Sequence, residues 1–185
     1  MLRKDMHKLD IEVFLEGKGD FVQIDHLTRY LKLMPPIEMR KFAYLKLAEI
    51  YSTKEMYSSA AESFKSAAVN SVIFREKQEN FLKEAKALIM AGKFDESDKA
   101  LKKSLDEANS KEKESLYNEL VSFYKKEIEK LEKKNKLGTL INLYEKFLRL
   151  KVRDSDKEEV KEKLLKIYEK LGRVKDYKIL KGENF

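Results

Sequence analysis

The chain has 185 residues, and Ala, Glu, Lys, Leu and Arg make up about half of them, a composition typical of long helices and helical arrays. Six glycines and two prolines are too few for the many turns of an all-β fold, and the absence of cysteine excludes disulfides and thiolate metal sites. The formal net charge is +7, and +6 of it comes from the 21 basic and 15 acidic residues of segment 111–185. No apolar stretch has the length of a membrane span, and the N-terminus lacks the apolar stretch of a signal peptide. We therefore expect a cytoplasmic protein without a membrane partner.

The predicted elements are all helices, because apolar residues recur at steps of three and four residues along nearly the whole chain. The connections between them are short, as antiparallel neighbours require. Ser71, and Ser155 with Glu158 three residues later, are predicted to cap helix N-termini. In chain order the predicted helices cover residues 2–16, 20–33, 37–53, 57–69, 72–91, 94–108, 112–134, 139–151, 156–171 and 174–181.

A repeat begins after the two adjacent prolines. One helical stripe alternates large and small side chains, and so does the stripe of the next helix, which lets two antiparallel helices pack without voids. The first stripe consists of Tyr44, Leu47, Ala48 and Tyr51, and the second consists of Ala60, Phe64 and Ala67. With Tyr in place of Trp and Ala in place of Gly, this segment resembles a tetratricopeptide repeat.

The same spacing of large and small residues continues downstream. The matching stripes are Phe81, Ala85 and Leu88, then Ser97, Leu101 and Ser104, then Tyr117, Val121 and Tyr124. Gly92 and Gly172 stand where the first helix of a pair should end. The resemblance implies an all-α protein, a right-handed α-solenoid of about four to five antiparallel helix pairs in a single domain. Its parts would be a degenerate N-terminal pair (1–36), two clearer repeats (37–110), a repeat with an extended helix (111–152) and a C-terminal repeat or cap (153–185). The helix-pair family of soluble vesicle-fusion attachment proteins is an alternative, given the long helix 72–91.

The third repeat departs from the frame. Its turn is predicted at Leu137-Gly138, ten residues late, and the apolar stripe continues through the insertion to Ile128 and Leu131 with coiled-coil spacing. Two copies of the chain could pair through residues 121–135 to form a homodimer. Alternatively, the following helix covers this seam within the chain.

No constellation of residues suggests catalysis. The two histidines are far apart in sequence and outside any metal-binding motif, so we expect no metal, no cofactor and a non-enzymatic protein. In the tetratricopeptide family the first helices line a groove that grips a partner peptide or helix. The resemblance places seven residues there, namely Leu45, Glu49, Ser52, Leu82, Lys86, Ile89 and Met90. Glu49 would repel a carboxylate, whereas Leu82, Ile89 and Met90 favour an apolar partner. Burial of Leu82 and Ile89 against the neighbouring repeat is the alternative.

The lysine-rich part of the chain suggests a second function. Six lysines follow one another closely and could contact RNA or the ribosome, namely Lys125, Lys126, Lys130, Lys133, Lys134 and Lys136. The competing interpretation is a solvated helix face with Glu–Lys pairs at helical spacing, such as Glu129 with Lys133.

Overall fold

The computed structural model describes residues 1–106 and 108–182, and every regular element in them is an α-helix. The all-α prediction is therefore confirmed for this part of the chain. Its ten helices are α1 (Lys8–Leu15), α2 (Asp20–Lys32), α3 (Ile37–Thr53), α4 (Tyr57–Val69), α5 (Phe74–Met90), α6 (Phe94–Leu105), α7 (Ser110–Lys133), α8 (Leu137–Leu148), α9 (Asp154–Lys170) and α10 (Val174–Lys181).

Five helix starts differ from the prediction, four of them by two residues, namely Phe74 for 72, Ser110 for 112, Leu137 for 139 and Asp154 for 156. Helix α1 begins at Lys8 instead of residue 2, because the Asp10 carboxylate accepts the backbone N–H of His7 at 3.0 Å and so fixes the helix start there. The predicted cap at Ser71 is wrong. Its hydroxyl donates to the carbonyl of Ala67 at 2.9 Å and α5 begins three residues later. The cap predicted at Ser155 is also wrong, since this residue lies inside α9.

The chain forms two compact units, Met1–Leu116 and Tyr117–Phe185. In the first unit each helix from α2 to α5 packs on the next one along the chain, so that α6 is the last helix of this series. Helix α1 contributes to a core cluster with α2 and α3. The buried members of that cluster are Leu2, Ile11, Leu15, Leu27, Tyr30, Ala43 and Leu47.

Small residues line the helix contacts of the first unit. Ala48, Ala60 and Ala67 are fully buried, as the alternation of large and small side chains in the sequence predicts. In the next helix pair, serines occupy the equivalent small positions. Ser104 is fully buried, and its hydroxyl donates to the carbonyl of Gln78 at 2.9 Å, which joins α6 to α5.

One turn geometry recurs in both units. Four helix pairs are joined by a three-residue turn whose middle residue is left-handed, namely Glu55 (φ 58°), Gly92 (φ 74°), Asn135 (φ 52°) and Gly172 (φ 66°). In each turn the residue after the left-handed one donates its N–H to a carbonyl five residues earlier. The four bonds are Met56 to Tyr51, Lys93 to Leu88, Lys136 to Leu131 and Arg173 to Tyr168, at 2.9–3.2 Å. This is the Schellman motif, which ends the first helix of each pair in the same way.

The third of these turns corrects the prediction. It is centred on Asn135, not on Leu137-Gly138, and Gly138 lies inside α8. Positions 92 and 135 are 43 apart, whereas the stripes Phe81 and Tyr117 are 36 apart, so the extension is seven residues and not ten. Seven residues are about two helical turns, which keeps the apolar stripe on the same face of α7.

In the second unit, α8 packs on α9 and α9 packs on α10. Helix α7 contacts α8 through aromatic side chains. The Tyr124 and Phe147 rings meet edge to face with 6.3 Å between centroids, and the Tyr144 hydroxyl donates a short hydrogen bond to Glu132. The Tyr117 hydroxyl accepts the backbone N–H of Lys151 at 2.8 Å.

Candidate functional site

The first helices of the pairs carry the residues that the resemblance places at a groove. In the first unit, Leu82 and Ile89 are each 1% exposed, so they belong to the core of the unit. Burial was the alternative for this pair, and it removes both side chains from the surface that a partner reaches. The other five are accessible to different degrees. Leu45, Ser52, Lys86 and Met90 are half-buried, and Glu49 is exposed.

The accessible part of this face is mainly polar. Lys46 Nζ lies 3.7 Å from the Glu49 carboxylate and 3.2 Å from that of Glu12, so Glu49 belongs to a small surface ion-pair cluster. The Ser52 hydroxyl donates its hydrogen to the carbonyl of Ala48, in its own helix, at 2.7 Å. Leu45 and Met90 are the remaining apolar side chains of the predicted set at this surface.

The seam of the extended helix is also covered. Ile128 is 5% exposed and Leu131 is 6% exposed, both within the second unit. This burial corresponds to the alternative in which the chain itself covers the seam. The two side chains are therefore not available to a second copy in this structure.

Two ion pairs align α7 with α9 in the second unit. Lys125 Nζ lies 2.9 Å from the Asp156 carboxylate, and Lys163 Nζ lies 3.0 Å from that of Glu132. Each pair joins residues that are 31 apart in the sequence. From the first pair to the second, the residue on α7 and the residue on α9 both move seven residues toward the C-terminus. The two helices therefore run parallel and side by side over two turns. They are the first helices of successive pairs.

A groove of about 110 Å³ lies along this contact. Its floor is apolar and consists of Ile128, Phe147 and Val160, all nearly buried. Its rim carries four carboxylates and two ammonium groups, namely Glu129, Glu132, Asp156, Glu159, Lys125 and Lys163. The groove is therefore acidic, although the surrounding segment of the chain is basic.

The rim charges are fixed by hydrogen bonds. Partial burial by itself would raise the pKa of Glu132, but hydrogen bonds from Tyr144 and Lys163 outweigh it and lower the pKa below its usual value. The hydrogen bond from Lys125 is the main reason that the pKa of Asp156 is also lowered. The Lys163 pKa is raised, chiefly through its hydrogen bond to Glu159. All of these groups are thus ionised at neutral pH.

Glu129 is the exception on the rim. It is exposed, and among the residues that the structure describes no cation lies within ion-pair distance of it. The pair with Lys133 that helical spacing suggests is absent. Glu129 therefore presents an unneutralised carboxylate at the mouth of the groove.

The six lysines of the basic stretch fall into two groups. Lys125 pairs with Asp156, and Lys130 pairs with Glu127 at 3.3 Å. The other four are exposed, and within residues 1–106 and 108–182 none has a carboxylate at ion-pair distance. These are Lys126, Lys133, Lys134 and Lys136, three of them at the turn between α7 and α8.

Sequence reasoning missed the α7–α9 groove. The only signal in the sequence is that Glu129 with Glu132, and Asp156 with Glu159, each stand three residues apart on a helix. Such spacing puts both carboxylates on one helix face, but it does not show that the two faces meet.

Comparisons with known proteins identify no relative. No family model matches the chain, and neither the curated proteins nor the solved structures contain a significant match. Within the described residues, no helix is both long and apolar enough to span a bilayer. In the same part of the chain, no three His, Asp or Glu side chains are grouped so that they could hold a metal ion.

Proposed function

We propose that the chain is a protein-binding scaffold of the tetratricopeptide type, a right-handed α-solenoid whose first helices receive a segment of another protein. The observation that carries this proposal is the groove between the parallel helices α7 and α9. The four helix pairs with the same Schellman turn support the architecture, because a repeated turn sets up repeated helix pairs. No catalytic role is proposed for any side chain.

The groove's chemistry favours one class of segment. Its apolar floor suits an aliphatic or aromatic side chain of the partner, and its rim has two more carboxylates than ammonium groups. Charge complementarity then favours a Lys or Arg beside that apolar residue and disfavours an acidic segment. The half-buried Leu45 and Met90 of the first unit offer further apolar contacts on first helices.

A displayed peptide library tests this proposal. We expect selection on the purified chain to enrich peptides in which a basic residue neighbours an apolar one. The double variant Glu129→Lys with Glu159→Lys should lose these peptides, because it reverses two rim charges. Glu158→Lys with Glu169→Lys is the matched control, since both glutamates are exposed on α9 outside the groove. Failure to enrich any peptide, or equal binding by the rim variant, contradicts the proposal.

RNA binding is the second candidate, and the four exposed lysines without carboxylate partners favour it. Phosphate contacts by these lysines would make the affinity fall with salt, with about one unit of slope lost for each lysine removed. We expect charge reversal of Lys126, Lys133 and Lys134 to abolish binding in a filter assay. Reversal of Lys65, Lys83 and Lys99, exposed in the first unit, is the matched control. If the unmodified chain binds no RNA at low salt, this candidate is excluded.

A further inference from the structure

Exposed apolar side chains are concentrated on two connections of the first unit. Seven large apolar residues there are exposed, with exposed fractions from 40% for Ile37 to 68% for Val72. We refer to them as the apolar tip: Leu33, Met34 and Ile37 at the α2–α3 connection, and Val69, Val72, Ile73 and Phe74 at the α4–α5 connection. Met34 is also left-handed (φ 51°), a conformation that residues other than glycine and asparagine seldom adopt.

The two connections lie at the same end of the unit. Lys41, near the start of α3, places its Nζ 2.6 Å from the carboxylate of Glu76, near the start of α5. Because both helices start at this end, the ends of α2 and α4 that precede them are also located here. The seven side chains therefore lie at one end of the unit, on two neighbouring connections.

Three other connections of the unit carry fewer exposed apolar side chains, whereas the α1–α2 connection is followed by the exposed Phe21 (68%) and Val22 (49%) at the start of α2. Among the described residues of the turns at Glu55 and Gly92, Met56 is the one large apolar side chain that is exposed. In the connection between α6 and α7, which also lies at the end of the apolar tip, the described residues contribute no exposed large apolar side chain. Within the described residues of the first unit, the apolar tip is therefore the larger group of exposed apolar side chains at helix connections, with seven members against Phe21 and Val22 after α1.

Around the apolar tip the carboxylates form ion pairs, whereas two of the lysines do not. The carboxylates of Glu38 and Glu76 both bind Lys41, at 2.8 and 2.6 Å, and that of Glu79 lies 3.2 Å from Arg75 Nε. Lys32 and Lys77 are exposed, and neither has a carboxylate at ion-pair distance within the described residues. The cations available to a partner therefore outnumber the available anions next to the apolar surface.

We propose that the apolar tip binds the surface of an anionic phospholipid bilayer, inserting its side chains while Lys32 and Lys77 contact the headgroups. The proposal departs from the expectation, drawn from the sequence, that no membrane is a partner. It concerns peripheral binding, which needs no spanning helix.

Two features favour a bilayer over a protein partner. The surface is almost entirely aliphatic, whereas protein interfaces depend mostly on Trp, Tyr and Arg anchors held in pockets. It also lies at helix ends, on two connections at one end of the unit. A bilayer accepts apolar side chains in proportion to their area, and anionic headgroups attract nearby lysines.

Vesicle sedimentation with the full chain tests the proposal. We expect it to sediment with vesicles of phosphatidylcholine mixed with phosphatidylglycerol, and less with phosphatidylcholine alone. Ile73→Ser with Phe74→Ser should lower the partition coefficient by about tenfold or more, because two large apolar side chains no longer insert. The fold should persist, since Ile73 is the N-cap residue of α5 and serine is favoured there.

The matched control is Leu9→Ser with Val13→Ser. These residues are 74% and 70% exposed on α1 and are not members of the apolar tip, so vesicle binding should be unchanged. Lys32→Glu with Lys77→Glu should remove the preference for anionic vesicles. The proposal is overturned if the wild-type chain binds neither vesicle type, or if the control loses binding equally. It is also overturned if light scattering shows that Ile73→Ser with Phe74→Ser converts a dimer into a monomer, since the surface would then join two copies.

Discussion

Leu131→Ala separates the two interpretations of the extended helix. If the chain itself covers the seam, as the 6% exposure of Leu131 indicates, truncation leaves a cavity inside the second unit. If the seam joins two copies, truncation weakens the dimer and leaves the fold of each copy largely intact. The same substitution therefore has opposite signatures in a stability measurement and in a mass measurement.

The magnitude follows from the burial. Removing three carbons from a nearly buried leucine loses their transfer free energy and leaves a partly collapsed cavity, which together cost about 2–5 kcal/mol of unfolding free energy. For a chain of this length, each kcal/mol lowers Tm by about 2–4 °C. We expect a decrease in Tm of about 6–12 °C for a loss near the middle of that range, about 3 kcal/mol.

Thermal melts followed by circular dichroism, together with light scattering, provide the measurement. Leu171→Ala is the matched control, because this leucine is in the same unit and 47% exposed, so its truncation should cost at most about 0.5 kcal/mol. A Leu131→Ala chain that melts with the wild type, and whose mass falls from a dimer to a monomer, would refute the internal placement of the seam.

The remaining predictions concern packing, turns and one buried acid of the first unit. Ala48→Leu and Ala60→Leu, at fully buried helix contacts, should each lower the free energy of unfolding by about 1–3 kcal/mol through overpacking, as urea titration can show. Gly92→Ala should cost about 1 kcal/mol and Glu55→Gly should gain up to about the same, because both positions are left-handed. No heavy atom lies within 4 Å of the Cβ added at Gly92, so a much larger loss in its melt would contradict this reasoning. Burial raises the pKa of Glu84, opposed in part by Lys103 and Lys65, so the folded chain binds a proton more readily than the unfolded chain. The contribution of this residue to stability is therefore lost as the pH rises above 4.5, the ordinary pKa of a glutamate. Glu84→Met should remove this loss, and urea midpoints measured at about pH 5 and pH 8 would detect the difference.

Much of the local structure could be predicted from the sequence. The bounds of the helices 37–53, 57–69 and 174–181 agree with the prediction, because helical periodicity and helix-ending turns act over a few residues. The turn at Asn135 was misplaced because glycine is the stronger turn signal and Gly138 stands nearby. Asparagine takes the left-handed conformation more readily than most other residues with a Cβ, but less readily than glycine, so it is a weaker signal of a turn.

The candidate site was much less predictable. Leu82 and Met90 both stand at groove positions in the resemblance, yet Leu82 is buried while Met90 is half-buried. The sequence places each side chain on a face of its own helix, but which neighbour covers that face depends on packing between helices. The apolar tip shows the same limit. The sequence predicted Val72 and Ile73 as the start of a helix, and it gave no sign that they lie on an exposed surface.

By itself the sequence determined that this protein is helical, where most helices lie, and that small residues occupy the contacts between α3 and α4. These features depend on hydrogen bonds and side-chain sizes within short stretches of chain. Only the tertiary structure decided that Lys125 meets Asp156 and Lys163 meets Glu132, and hence that an acidic groove lies within a basic segment. Partners 31 residues apart leave no periodic trace in a sequence, because their proximity is produced by the packing of whole helices.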